Sequence, residues 1–419
     1  MLRVFRSLAA PLAVLFASQL FAGLPVFAQD EAGIDASIDA KVKAEVEKQL
    51  KEREKHQWTA GINPQGGGVF VKSPDGQALF RLYGYAQPTF TYTDEDNGLA
   101  FEQTDFRIRR ARLDFSADYQ ERYKLFVELD GAPADGTALV EAYVQAAYVK
   151  DRHYLRFGKF ITPFSTENLR SSRALDTVER YLALNAAFSL PALDVQFGPM
   201  LWGYLDRGKK VSYYLGVWNG NSSAGAAVAG GQRGNARDNN GDKEVQGRLN
   251  VKWSDELTTG AAFDSDREEE QTLTLASYSG GRFIGLNVHG QRRGYDLDAH
   301  WKRGRLSLDS EWLAFDFRDS DTRLGGGYAQ AAFWARGSET GGVQPLLRAE
   351  VAQLSGDALR PVDGRKIVAV TAGANVWFNG WTRWQINVIG EHFDGRGNGP
   401  FKAGSGWRPT VLNQLQIKF

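Results

Sequence analysis

The chain of 419 residues contains no cysteine. This excludes a disulfide framework, a cysteine-ligated metal site and a thiol nucleophile. An excess of one charge is also missing, since 50 basic residues balance 50 acidic ones, and this excludes a strongly basic nucleic-acid-binding protein. Beyond the N-terminus no apolar run reaches the length of a membrane-spanning helix, so a polytopic helical membrane protein is excluded. Glycine and aromatic residues, in contrast, are abundant: 46 Gly, 25 Phe, 15 Tyr and 11 Trp.

Residues 1–28 have the pattern of a Sec-type signal peptide. Arg3 and Arg6 precede an apolar stretch, and small residues at Val26 and Ala28 suit a cleavage site before Gln29. A membrane anchor is the alternative, but prolines and a glycine within the stretch weaken a spanning helix. We therefore expect the mature chain to leave the cytoplasm.

Residues 29–57 are rich in Ala, Glu and Lys. Apolar side chains recur there every fourth position, at Ile34, Ile38, Val42, Val46 and Leu50. This spacing predicts an amphipathic periplasmic helix with one apolar face. Because so short a helix is marginal in water, it needs a partner. A trimeric coiled coil, a solvated linker, and contact with the cell wall or another envelope component remain open.

From Trp58 onward the sequence alternates with period two. In 123–130 the residues Tyr123, Leu125, Val127 and Leu129 share one face, and Lys124, Glu128 and Asp130 share the other. About 18 such strands are recognisable, and merging two pairs would give 16. A soluble sandwich buries the apolar face inside, whereas a membrane barrel turns it toward lipid and keeps the polar face around a water-filled lumen.

Three features favour the membrane barrel over residues 58–419. The strands reach about ten residues, which a tilted crossing of the bilayer needs. Mid-strand charges such as Arg112 and Glu350 would be costly in a dry core. Aromatic residues near strand ends resemble interfacial girdles: Tyr83, Tyr85, Trp202, Tyr204, Trp253, Trp301, Trp377 and Trp381. The fold class is therefore an all-β transmembrane β-barrel of about 16 (16–18) antiparallel strands. The last strand ends on Phe419, as is typical of outer-membrane barrels.

Five segments in a fixed order resemble the phosphate-selective porin O/P family. They are FRIRRARLDF at 106–115, YKLFVELD at 123–130, EAYVQ at 141–145, LRFGKFITPF at 155–164 and STENL at 165–169. The resemblance implies a homotrimeric, 16-stranded barrel in the outer membrane that passes anions such as phosphate or polyphosphate. It also implies that the third loop, here about 161–193, folds into the lumen as a constriction.

An anion pore needs donors and positive potential on its inner wall, and the planar fork of arginine suits phosphate. The cations expected at the wall or the constriction are Arg81, Arg107, Arg109, Arg112, Lys124, Arg156, Lys159, Arg170, Arg173 and Arg180. The alternation changes phase near Arg109 and Arg110, which predicts a β-bulge there. The alternative is that these cations pair with carboxylates across the lumen. Because the chain as a whole is neutral, only local clustering can give anion preference.

No catalytic residue, cofactor or metal ligand set is assigned. The five histidines lack ligand spacing. Asp238, Asn240 and Asp242 could hold calcium in the loop 219–243, although a flexible loop is the favoured interpretation. The sequence thus predicts a passive porin rather than an enzyme. The alternative is a structural envelope protein whose helix at 29–57 tethers a non-selective barrel to the cell wall or a partner.

Overall fold

A computed structural model describes residues 39–49, 52, 57–63, 67–93, 104–132, 138–190, 193–220, 241–280, 283–356, 366–394 and 407–419. Two units divide the chain, Met1–Gln57 and Trp58–Phe419. The first contains helix α1 (39–49), whose side chains are all exposed. The predicted signal peptide lies outside the described residues. No helix among the described segments combines the length and apolar character needed to cross a membrane.

The second unit is a β-barrel with short flanking strands. The strands are β1 (Thr59–Ile62), β2 (Val69–Lys72), β3 (Ala78–Thr93), β4 (Thr104–Tyr119), β5 (Tyr123–Asp130), β6 (Ala138–Val149), β7 (His153–Ile161), β8 (Val195–Tyr204), β9 (Val211–Trp218), β10 (Glu244–Lys252), β11 (Leu257–Ala276), β12 (Phe283–Arg303), β13 (Leu306–Phe317), β14 (Thr322–Phe333), β15 (Arg336–Ser338), β16 (Gly341–Gly356), β17 (Lys366–Trp377), β18 (Thr382–Asp394) and β19 (Arg408–Lys418).

Sixteen antiparallel strands form a closed ring. Strands β3 to β14 pair in chain order, β14 pairs with β16, and the order continues to β19. Strand β19 pairs with β3 and closes the barrel, with Thr410 opposite Thr93. The remaining short strands pair beside the ring: β1 pairs with β2, β2 with β3, and β15 with β16. The predicted 16-stranded barrel is therefore confirmed.

Alternation along each strand places one face toward lipid and the other toward the lumen. In β18 the side chains of Trp384 and Val388 are 40% and 48% exposed, whereas Arg383, Gln385 and Asn387 at alternate positions are buried. Short turns such as 120–122 and 205–210 lie at one end of the barrel, and the longer connections lie at the other. Short turns are periplasmic in outer-membrane barrels, so we call these the periplasmic and outer ends.

The connection between β7 and β8 lies inside the barrel. Its described part, residues 162–190, contains helices α2 (Thr166–Leu169) and α3 (Leu182–Ala187) and a 3-10 turn at Ser172–Ala174. We call it the inner loop. Its backbone bonds to inward-facing side chains, since the amide of Leu182 donates to Glu350 at 2.8 Å. The side chain of Arg383 likewise donates to the Leu175 carbonyl at 2.9 Å.

The expectation of a polar interior is wrong for part of the outer half. Buried apolar residues there point inward from the strands, among them Leu313, Phe315, Phe317 and Leu354. They pack against α3, of which every residue except Asn185 is buried. Because the apolar helix α3 is stabilised by an apolar surface around it, these strands carry apolar residues on both faces in this part of the barrel.

Candidate functional site: the barrel lumen

Buried carboxylates hold the inner loop against strands β13 and β16. The side chain of Glu167, on α2, accepts from the amide of Tyr181 at 2.9 Å and pairs with Arg348. The Tyr181 hydroxyl donates to Glu311 at 2.9 Å, and burial, reinforced by that carboxylate, raises the pKa of Tyr181 well above its usual value. A neutral tyrosine remains a hydrogen-bond donor, so the raised pKa favours the bond from Tyr181 to Glu311.

Three predicted cations on β3 to β5 are paired with acids. Arg81 and Lys124 both face Asp118, which Lys124 approaches to 3.9 Å. Arg112 bonds to Glu128 and to Asp130, the latter at 3.2 Å. At these three positions the cations thus pair with carboxylates, which was the alternative to unpaired cations on the inner wall.

The predicted bulge places two consecutive arginines on the lumen side. The register between β3 and β4 shifts at Gln87/Pro88, which leaves Arg109 as the extra residue. Arg109 then pairs with Glu179 of the inner loop, and Arg110 donates to the side-chain oxygen of Gln87 at 3.0 Å. Arg107 stands on the same inner face near the outer end and is exposed.

The inner loop contributes three of the predicted cations. Arg170 lies 3.3 Å from Asp176, and Arg173 lies 3.9 Å from Asp114. Arg180 differs from both, because it donates only to backbone carbonyls, of Glu167 at 3.3 Å and of Arg170 at 3.2 Å. Burial lowers the pKa of Arg180, but not enough to remove its charge near neutral pH.

The last two candidates, Arg156 and Lys159, lie on opposite faces of β7. Arg156 faces the lumen between lipid-facing Leu155 and Phe157. Lys159 is paired across the sheet with Phe197, which is 37% exposed on the lipid side, and its ammonium donates to the Leu139 carbonyl at 2.7 Å. The period of two puts Lys159 on the face opposite Arg156, yet its side chain is only 1% exposed. Its place at the constriction stays a prediction.

Several buried arginines of the lumen were missing from the predicted set: Arg110, Arg248, Arg292, Arg348 and Arg383. Their strands show the same alternation as the others, with Leu249, Leu347 and Trp384 exposed beside them. That signal could have identified them from the sequence.

Arg292, on β12, is surrounded by carboxylates at the junction of β10, β11 and β12. Its ion-pair partners are Glu244, Asp264, Asp266 and Glu268. All five side chains have 0% exposure. In this part of the wall, four acidic side chains therefore surround one basic side chain.

Five aromatic residues expected at the lipid interface face the lumen instead: Tyr83, Tyr85, Trp202, Tyr204 and Trp377. Tyr85 is 2% and Trp377 7% exposed, and Trp202 and Tyr204 alternate with lipid-facing Leu201. Trp253 and Trp381, at 64% and 38% exposure, are accessible as a girdle requires. Position near a strand end does not settle which face a ring occupies.

No group of three or more His, Cys, Asp or Glu suited to a metal ion occurs within the described segments. Asp238 and Asn240 of the considered calcium loop lie outside them.

A closed 16-stranded barrel with an apolar outer belt, a charged lumen and an internal loop defines the class of outer-membrane porins. The sequence matches the model of the family described as phosphate-selective porin O and P over residues 80–403, so the chain belongs to that family. The resemblance carried by the five segments is thereby confirmed, and the protein is a porin of the outer membrane.

Solved structures similar to this chain are also outer-membrane proteins. The anion-selective porin from Comamonas acidovorans is 13% identical, with a TM-score of 0.54 over 82% of this chain and 100% of that one. The in-vitro folded trimer form of OmpT of Vibrio cholerae is 9% identical, with a TM-score of 0.55 over 82% of this chain and 100% of that one. The channel DcaP of Acinetobacter baumannii is 12% identical, with a TM-score of 0.51 over 83% of this chain and 99% of that one. At such identities the likeness concerns the fold. A comparison with curated proteins finds no match.

Proposed function

We propose that this porin passes small anions in preference to cations. The observation that carries the proposal is that Arg110, Arg180 and Arg383 are held by neutral acceptors. Within the described residues none of the three has a carboxylate at ion-pair distance; their acceptors are the amides of Gln87 and Gln416 and backbone carbonyls. A neutral acceptor orients a guanidinium without cancelling its charge, so positive potential persists along the side formed by β3, β4 and the inner loop.

Phosphate or polyphosphate is the permeant that the family description suggests. Guanidinium groups bind phosphate oxygens in pairs, which gives orientation as well as attraction. Other arginines of this region have acidic neighbours, namely Arg81, Arg109, Arg112, Arg170 and Arg173. A phosphate would therefore meet guanidinium groups both with and without a paired carboxylate. A permeant must also leave, and the neighbouring carboxylates Glu128 and Glu179 keep binding weak enough for release.

The assembly proposed is a homotrimer. A trimer form is reported for the OmpT structure of Vibrio cholerae. In this chain α1 exposes Val42 and Val46, at 53% and 49%, on the face that a short trimeric coiled coil would bury. The inner loop, at about 161–193, is proposed as the constriction of each pore.

The test is the reversal potential of reconstituted channels in a potassium chloride gradient. Wild-type channels are expected to prefer chloride. The double variant Arg110→Gln/Arg180→Gln, which keeps donors for the same neutral acceptors, is expected to lose most of that preference. The matched control is Arg303→Gln, which removes a 73% exposed arginine at a periplasmic turn. A wild-type channel that prefers potassium, or a double variant as selective as the control, would contradict the proposal.

A further inference from the structure

A second feature of the lumen is a set of aromatic side chains on strands β6 to β9 near the periplasmic end. The set, here called the aromatic wall, consists of Tyr143, Tyr154, Trp202, Tyr204 and Tyr214, all half-buried. Their strand neighbours Leu155, Leu201 and Leu215 are 45%, 41% and 49% exposed on the lipid side. Alternation therefore turns the aromatic wall toward the lumen, opposite to a lipid girdle.

The rings of the aromatic wall stack across neighbouring strands. Tyr154, Trp202 and Tyr214 are direct cross-strand partners. The ring centroids of Tyr154 and Trp202 lie 4.3 Å apart at 15°, and those of Trp202 and Tyr214 lie 5.9 Å apart at 7°. The indole nitrogen of Trp202 also donates to Gln145 at 3.0 Å. This packing fixes the rings before any permeant arrives, so little ordering entropy is lost on contact.

A cation adjoins the stack one step farther from the periplasmic end. Two nitrogens of Arg156 donate to the side-chain oxygen of Gln145 at 3.2 and 3.0 Å. Its guanidinium carbon lies 4.2 Å from the ring centroid of Tyr143 and 5.9 Å from that of Trp202. No carboxylate of the described chain lies at ion-pair distance from it, so an amide and rings hold Arg156 while its charge stays available.

Among the described residues, the hydrogen bonds identified for the inner loop do not reach the side chains of the aromatic wall. They reach β3 and β4, and strands β10 to β19 on the far side. Tyr143, Trp202 and Tyr214 also pack against buried Phe160, Met200 and Trp218. The surface of the aromatic wall that remains exposed lies on the lumen side. An inorganic anion has no apolar surface to gain from such a strip, whereas an organic anion with a ring does.

We propose that the aromatic wall and Arg156 form a subsite for aromatic carboxylates in transit. The ring of the permeant packs against the edge of the Tyr154–Trp202–Tyr214 stack, and its carboxylate pairs with Arg156. This deepens the proposed function and rests on it for the choice of an anionic permeant. It assigns to the pore a class of organic anion in addition to inorganic ones.

The experiment compares sodium benzoate with sodium acetate as blockers of the chloride current of the full-length channel. Acetate carries the same charge and lacks the ring. Wild-type channels are expected to be blocked at benzoate concentrations about two- to tenfold lower than those of acetate, the range expected for one aromatic contact. In Trp202→Ala and in the milder Tyr214→Leu the difference should shrink toward onefold. In Arg156→Gln both blockers should weaken together.

The control variant is Trp253→Ala, which removes a 64% exposed tryptophan at the periplasmic rim and should leave benzoate block unchanged. Equal block by benzoate and acetate in the wild type overturns the subsite, as does undiminished benzoate block in both wall variants. Chloride current in each variant verifies that the barrel is assembled. A cation-preferring channel with stronger benzoate than acetate block would refute the proposed anion preference and leave the subsite standing, so the two failures are distinguishable.

Discussion

Arg292 and Arg110 are both buried arginines of the lumen, yet their surroundings are opposite. Arg292 has four carboxylate partners, all fully buried with it. Arg110, at 9% exposure, bonds to the amide of Gln87. A count of basic residues would not distinguish the two. Their partners decide whether a cation stabilises the wall or adds to the potential of the pore.

The largest effect is expected from removing the charge of Arg292. Arg292→Gln leaves its carboxylates without a counter-charge at 0% exposure, and breaking such a buried pair costs about 3–5 kcal/mol. The measurement is the free energy of unfolding of the detergent-solubilised barrel. The control Arg318→Gln removes an arginine that is 47% exposed at an outer turn and should change stability by less than about 0.5 kcal/mol. Equal stability of the two variants would break the comparison.

The next effect concerns the pairing of Arg348 with Glu167. Glu167→Ala removes the acceptor of the Tyr181 amide and leaves Arg348, at 2% exposure, without that carboxylate. We expect the inner loop to loosen and the single-channel current to become larger and noisier. Ser189→Ala, which removes one weaker contact of the same loop with β11, is the control. A quiet wild-type current in Glu167→Ala would show that the loop is held elsewhere.

A smaller effect is expected from removing one of the two acids paired with Arg112. Glu128→Gln removes one of the two acids bonded to Arg112 and leaves Asp130 at 3.2 Å. The reversal potential should move toward stronger chloride preference, opposite in sign to the change expected for Arg110→Gln. The shift should shrink at high salt, where screening weakens lumenal fields. A shift toward potassium would contradict the link between pairing and selectivity.

The smallest effect is expected at the periplasmic turn 205–210, where Asp206 accepts from the amides of Lys210 and Val211 at 2.9 and 2.8 Å. The hydrogen bond from Val211 is the main cause that lowers the pKa of Asp206 below its usual value. A lowered pKa stabilises the fold above the pKa of the unfolded chain, and this stabilisation disappears as pH falls through the folded value. Asp206→Ala should thus lower the melting temperature slightly at pH 7, and by less near pH 3. A constant difference between the two pH values would refute the linkage.

Much of the fold follows from alternation alone, as β11 and β12 illustrate. The acidic run at 264–270 lies within β11, and Arg292 and Arg293 lie within β12. Both pass through these residues as continuous strands of 20 and 21 residues. Charged residues do not interrupt a strand whose inner face meets other charges and water, and merging the two pairs reduces 18 strands to 16.

The site is less predictable, because cross-strand partners depend on register. Alternation places Arg112, Arg156 and Arg292 on the inner face, but their partners follow only from the pairing of the strands. Arg112 contacts two acids, Arg156 contacts aromatic rings, and Arg292 contacts four carboxylates. The assignment of Trp202 to the lipid interface has a different cause. Its inward phase was readable beside Leu201, yet its position near a strand end outweighed that signal.

The seam between β3 and β19 has a consequence for biogenesis. Gln87 bonds there to Gln416 at 2.8 Å, across 329 positions of sequence, and Phe419 exchanges backbone hydrogen bonds with Gly84 at 3.1 Å. Contacts so distant along the polypeptide carry a large loop-closure entropy and form slowly. Neighbouring hairpins can form locally before β3 and β19 pair. Until then the incomplete barrel has two unpaired strand edges, which must be protected from pairing with other chains.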